Sequence, residues 1–87
     1  AEIARYPDEE FTPPHGGLLL LLLEHGEPVA GGAFRRRDAT TAELKRIWTH
    51  SAHRRRGLAR RVIAELEYEA GTRGYRRIYL TTGPRQP

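Results

Sequence analysis

Six consecutive leucines occupy positions 18–23, and the way the apolar residues change their spacing on either side of that run divides the chain into elements. The run is preceded by Gly16-Gly17 and closed by Glu24. A short, unbroken apolar stretch so bounded predicts a strand covered on both faces. His25-Gly26-Glu27-Pro28 supplies a turn, and residues 29–36 predict a second strand paired with the first as a hairpin. At its centre, Ala30-Gly31-Gly32-Ala33 leaves room for something to approach closely. After a turn at residues 38–41, Ala42, Leu44, Arg46 and Trp48 alternate with Glu43, Lys45, Ile47 and Thr49, which predicts a third strand with two distinct faces.

Residues 50–57 then form a polar connection that ends in glycine. Beyond it Leu58, Ala59, Val62, Ile63, Leu66 and Ala70 fall at helical spacing, with Arg60, Arg61, Glu65, Glu67 and Glu69 on the opposite side. Gly71 and Gly74 end that helix, and residues 77–82 alternate as a last strand with Ile78 and Leu80 on one face. Residues 1–16 are polar and broken by Pro7, Pro13 and Pro14, so they read as a loose N-terminal arm anchored by Ile3, Tyr6 and Phe11. The predicted order is strand, strand, strand, helix, strand. Tight turns give antiparallel pairs and a strand-helix-strand crossover gives a parallel pair, so the fold class is α+β, built on a mixed sheet. Residues 1–87 form a single domain whose core is 17–87.

Composition narrows the function classes. A chain of 87 residues buries only about 60% of the surface it exposes when unfolded, and it has no cysteine to staple it. That excludes a disulfide framework and a thiolate metal site, and favours a reducing, cytoplasmic setting. The leucine run is far shorter than the ~20 residues of a membrane-spanning helix, and no basic segment followed by an apolar one opens the chain, so no membrane partner is expected. There is no methionine, so Ala1 is not an initiator; the chain is expected to be processed or to be a piece of something longer. Fifteen Lys+Arg against eleven Asp+Glu give +4, and Lys45 is the only lysine. Arginine favours planar, bidentate contact with carboxylates and phosphates, which points to a phosphate-bearing ligand.

Placement locates that ligand at the junction of the third strand and the helix. Arg54-Arg55-Arg56-Gly57-Leu58-Ala59 fits Gln/Arg-x-x-Gly-x-Gly/Ala directly after a strand and at the opening of a helix. A helix start leaves backbone N–H groups unpaired and carries partial positive charge, so a glycine-containing loop there holds a pyrophosphate with main chain alone. Gly57 lets the backbone come close and Ala59 keeps the next turn small. Arg60 and Arg61 begin the helix and read as solvated helix charges, contact with phosphates being the other reading. Arg35-Arg36-Arg37 beside Asp38 reads as a surface cluster able to attract an acidic substrate. His50 and His53 flank the loop without a third ligand type at suitable spacing, so no metal is expected.

With the strand 42–49 running into it, this loop resembles the acetyl-CoA signature of the GCN5-related N-acetyltransferase (GNAT) superfamily, and the resemblance covers roughly residues 17–87. It implies that main-chain N–H groups of Arg55, Arg56, Gly57, Leu58, Ala59 and Arg60 bind the CoA pyrophosphate, with Arg54 matching the first motif position. It implies that the backbone of Ile47, Trp48 and Thr49 pairs with the pantetheine as with an extra strand, and that the strands before and after the helix splay apart to admit it. Glu43 lies eleven residues before Arg54, the spacing at which some members carry a general base; an amine attacks a thioester only after losing its proton. A carboxylate paired with an arginine is the other reading of Glu43. The resemblance further implies acetyl-CoA as co-substrate and a small-molecule or peptide amine as acceptor.

A complete member has a further strand and helices before the leucine hairpin and a helix with closing strands after residue 82, including a tyrosine that often serves as general acid. The pattern gives neither, so the fold is expected to be incomplete at both ends and open to self-association as a homodimer. Tyr75 and Tyr79 lie elsewhere and do not take the acid's place. Two alternatives stand beside transfer: a fragment that binds CoA without turnover, and a small basic nucleic-acid-binding protein. The second lacks the aromatic interleaving used on single strands.

Overall fold

His25 and Gly26 both adopt positive φ, 52° and 80°, and this two-residue loop sets the leucine hairpin, because a turn with positive φ at both positions matches the right-handed twist of the strands it joins. The computed structural model describes residues 2–8, 16–53 and 57–80. Within them run β1 (Glu2–Asp8), β2 (Gly17–Glu24), β3 (Glu27–Arg36), β4 (Thr41–Thr49), a single 3-10 turn (Ser51–His53), α1 (Leu58–Thr72) and β5 (Arg77–Leu80). The strands form one sheet in the order β1-β2-β3-β4-β5. β1 to β4 pair antiparallel, and β4 pairs parallel with β5 across the α1 crossover. The mixed sheet expected from the sequence is thus observed. Glu27 and Pro28, assigned to the turn, already belong to β3, and Gly71 belongs to the helix.

The loose arm is corrected. Seven of its residues are β1, paired from Glu2 opposite Leu23 to Asp8 opposite Gly17. A further strand ahead of the leucine hairpin is therefore present, contrary to the sequence expectation. β1 escaped recognition because it pairs only with β2 and lies at the sheet edge, where a proline without an N–H and a polar sequence are both tolerated. Its Ile3 packs on the core and its Arg5 reaches the helix, where Nε donates to Glu69 Oε2 at 2.6 Å.

One face of the sheet is covered by α1. Leu58, Val62, Leu66 and Ala70 are buried against Leu18, Leu20, Leu22, Ala30, Phe34, Ala42 and Leu44. The close approach anticipated at Gly31-Gly32 is made by this chain's own side chains. A Cβ on Gly32 would stand 2.5 Å from Ile47 Cδ1 and 3.1 Å from Leu66 Cδ1 and Val62 Cγ1. A Cβ on Gly31 would meet Leu21 Cδ2 and Trp48 Nε1 at 2.8 Å each. Gly31 therefore lies beneath Trp48, away from the helix.

These contacts overturn the simple alternation expected for β4. Between Gly31, opposite Trp48, and Ala33, opposite Lys45, β4 carries one extra residue, and Arg46 within that bulge has φ 58°. A bulge resets the period. Ile47 consequently joins Ala42 and Leu44 under the helix, while Trp48 joins Glu43 and Lys45 on the other face.

Glu69 ties the end of the helix to both β1 and its own last turn, through Arg5 and through Arg73 Nη1 at 2.9 Å. The Arg73 hydrogen bond first, and Arg5 second, hold its carboxyl below the usual 4.5. A depressed carboxylate contributes stability that is complete above the unfolded pKa and is lost as pH falls through the lower folded value. Glu69→Gln is therefore expected to cost about 1 kcal/mol at neutral pH. In urea titrations the gap between the two proteins should close as the pH is taken below 4.5; a gap that persists in acid would assign the loss to packing.

Candidate functional site

The second sheet face, opposite α1, carries the chemistry-bearing side chains of β4. Glu43 is 8% exposed although neighbouring positions on that face are open. Register explains this: it stands opposite Arg35 of β3 and beside Tyr79 of β5. Arg35 Nε lies 3.5 Å from Oε1 and Lys45 Nζ 3.8 Å from Oε2. Both readings of Glu43 therefore meet in one geometry, a nearly buried carboxylate that is also paired with cations.

Next to it a depression of about 340 Å³ opens across β2, β3 and β4, lined by Leu19, Ala33, Arg35, Lys45 and Arg46 among others. Sequence reading did not anticipate this cavity. Arg35 and Lys45 are shared between it and Glu43, while Trp48 continues the same face and is 37% exposed. Tyr79 lies under the Arg37 guanidinium, 3.8 Å from the ring centroid. Tyr75 belongs elsewhere: it is buried edge-on to Phe34, its hydroxyl donates to the Gly16 carbonyl at 3.2 Å, and burial raises its pKa above 10.0.

The edges of β4 differ along its length. Its β3 side is paired through to Thr49, and beyond it the His50 N–H donates to the Val29 carbonyl at 2.8 Å. On the other side the ladder with β5 covers Thr41 to Leu44 among the described residues. Ile47, Trp48 and Thr49 lie past the last described residue of β5. The expected splaying, and residues 81–82 of the last strand, lie outside the described residues.

β4 leads through the 3-10 turn, in which the Ala52 N–H donates to His50 Nδ1 at 3.1 Å, toward the helix start. Arg54, Arg55 and Arg56 lie outside the described residues. Gly57 is the N-cap of α1 with φ 72° and ψ 16°, a left-handed conformation that glycine takes without strain. It offers no side-chain cap, and no acidic residue stands in the first turn. Leu58 anchors the turn in the core, and the Arg61 N–H is the first to return into the helix, to the Gly57 carbonyl at 3.1 Å. Leu58, Ala59 and Arg60 thus present the amide groups for which an α-helix start has no internal acceptor. Among the described residues nothing lies within 4 Å of a Cβ built on Gly57, and Arg60 is exposed. An anionic group of pyrophosphate type fits this end in charge, donors and space.

The strand order and the parallel crossover through a glycine-capped helix match the fold of solved acyltransferase structures. A family model for the acetyltransferase (GNAT) family matches residues 1–87, and the chain belongs to that family. An uncharacterized N-acetyltransferase of Bacillus subtilis (strain 168), YsnE, is 39% identical over 59 residues, which make up 67% of this chain and 39% of that protein. An aminoglycoside acetyltransferase from an uncultured soil metagenomic sample superposes with TM-score 0.70 at 27% identity, over 79% of this chain and 49% of that one. An aminoglycoside 6'-N-acetyltransferase complexed with coenzyme A gives TM-score 0.71 at 26% identity, over 85% of this chain and 41% of that one. The chain thus spans half or less of the length of these relatives. No helix among the described residues is long and apolar enough to cross a membrane.

Proposed function

We propose that the chain carries the acetyl-CoA-binding and proton-accepting side of an N-acetyltransferase that acylates a primary amine. The observation that carries this reading is the continuity of one strand with one helix start. β4 holds Glu43 on the open sheet face, runs on as Ile47, Trp48 and Thr49, and leads to Gly57, a left-handed N-cap without a side-chain cap. The coenzyme A complex of a relative at 26% identity supports the same reading.

In this reading the N–H groups of Gly57, Leu58, Ala59 and Arg60 donate to the pyrophosphate, and the backbone of Ile47, Trp48 and Thr49 pairs with the pantetheine. Acetyl-CoA supplies an acyl group activated as a thioester. Glu43 accepts the proton that the acceptor ammonium must lose, directly or through water. The freed nitrogen bonds to the carbonyl carbon, the carbon–sulfur bond breaks, and the second proton that the nitrogen gives up on becoming an amide passes to the departing sulfur, which leaves as the CoA thiol. Strand geometry contributes by holding amine and thioester on one line of approach.

Calorimetric titration with acetyl-CoA tests the binding half. Saturable binding is expected, and no heat at millimolar ligand would remove the reading. Gly57→Ala sharpens the test. A side chain at φ 72° costs about 1–2 kcal/mol, and relaxing that strain tilts the first amides away from the ligand. Affinity should fall about tenfold, the equivalent of 1.4 kcal/mol, while the far-ultraviolet spectrum is retained. Unchanged affinity would detach the helix start from the cofactor.

A further inference from the structure

The cavity beside Glu43 has a charge that selects what enters it. Arg35, Lys45 and Arg46 line it, and among the described residues no carboxylate does. Glu43 is the neighbouring anion, but Arg35 and Lys45 approach it only to 3.5 and 3.8 Å, longer than the 2.7–2.9 Å of a charge-assisted hydrogen bond. Their side chains stay 52% and 38% exposed. Both retain donors for a second anion, and Arg46 adds a third positive charge on the exposed bulge of β4. Leu19 and Ala33 supply an apolar floor between β2 and β3. The volume of about 340 Å³ suits a small molecule.

We propose that the acceptor amine carries an anionic group, a carboxylate or a phosphate, which Arg35 and Lys45 hold in this cavity. Arg46 adds to the attraction, and the methylenes of the acceptor lie on Leu19 and Ala33. The inference rests on the acetyl-transfer reading above, because it places the amine end of the same molecule at Glu43. Among the described residues one carboxylate stands against three cations, a surplus of positive charge. Polycationic amines such as aminoglycosides are therefore repelled here, although the relatives at 27% and 26% identity are named for them. Specificity of this kind comes as much from repulsion of the wrong amine as from attraction of the right one.

Isotope-edited NMR of the full chain separates the two readings, because they move different signals. The probes are β-alanine, β-alaninamide, phosphoethanolamine and putrescine, each titrated alone, with acetyl-CoA titrated separately. β-Alanine or phosphoethanolamine should shift the amides of Ala33, Arg35 and Lys45 with an affinity about tenfold above that of β-alaninamide, as for a charge-assisted contact. Whichever of the two binds tighter identifies the anion. Arg35→Gln and Lys45→Gln should each remove most of that preference, while Arg76→Gln, an exposed charge away from the cavity, leaves it. Equal or tighter binding of β-alaninamide or putrescine overturns the proposal, as does the absence of any shift at about 50 mM probe, far weaker than ordinary substrate affinity. Acetyl-CoA should move Gly57, Leu58 and Ala59. If it does and the amines do not discriminate, only the acceptor inference falls; if it does not, the transfer reading itself fails.

Discussion

Glu43→Gln should lower kcat by about 10²- to 10⁴-fold, the range over which a positioned base contributes, while the acetyl-CoA dissociation constant stays nearly unchanged. Glutamine fills the same volume opposite Arg35 and beside Tyr79, so the strand register is kept. What it cannot do is take a proton. The change also weakens the ion pairs that Arg35 and Lys45 make with this carboxylate, but both cations are well exposed, so water replaces it and the loss of stability is about 1 kcal/mol or less. A structural carboxylate and a catalytic one therefore predict different results. The first changes stability and leaves kcat; the second does the reverse. The pH dependence separates them again: as pH rises toward the pKa of the amine, near 10.4 for a lysine-like acceptor, free amine accumulates and needs no base. The deficit of the variant should shrink along that limb. An unchanged kcat, or a deficit constant with pH, would exclude Glu43 as the base.

How much of this was legible in the sequence depended on whether the signal was local. The leucine strand, the hairpin and α1 were legible because each carries its own period or turn residues within a few positions. Glu43 and Gly57 were picked out as candidates by their fixed offsets along one strand and one helix start. β1 was not legible, since an edge strand stabilised by Ile3 and by the Arg5–Glu69 pair needs neither alternation nor freedom from proline. The faces of β4 were misassigned because the bulge at Arg46 puts an ordinary side chain at φ 58°, where glycine or asparagine would have announced it. Hence Trp48 was grouped with Leu44, and Ile47 with Glu43, when each belongs with the other. The cavity was hidden for a different reason. Leu19, Ala33 and Lys45 come from three strands and are neighbours only through register, which a strand hydrophobic on both faces does not declare.

Leu66→Ala is expected to bring the fold close to collapse. Leu66 is fully buried at the centre of α1, above Gly32, and truncating such a leucine costs about 2–5 kcal/mol. A chain of 87 residues has a total stability of roughly 4–13 kcal/mol, so the midpoint of thermal unfolding should drop by at least about 10 °C. Gly32 gives this prediction a second arm. Alone, Gly32→Ala inserts a Cβ 2.5 Å from Ile47 Cδ1 and 3.1 Å from Leu66 Cδ1, and overpacking of this kind costs about 1–3 kcal/mol. In the double variant the missing leucine methyls leave space that the new methyl and a shifted Ile47 occupy. The two losses should then fall short of additivity by about 1 kcal/mol, above the 0.3–0.5 kcal/mol seen for independent sites. Urea unfolding of the four proteins measures this directly. Strict additivity would mean that Gly32 is small for a reason other than the helix above it, and would move the tightest contact of the core elsewhere.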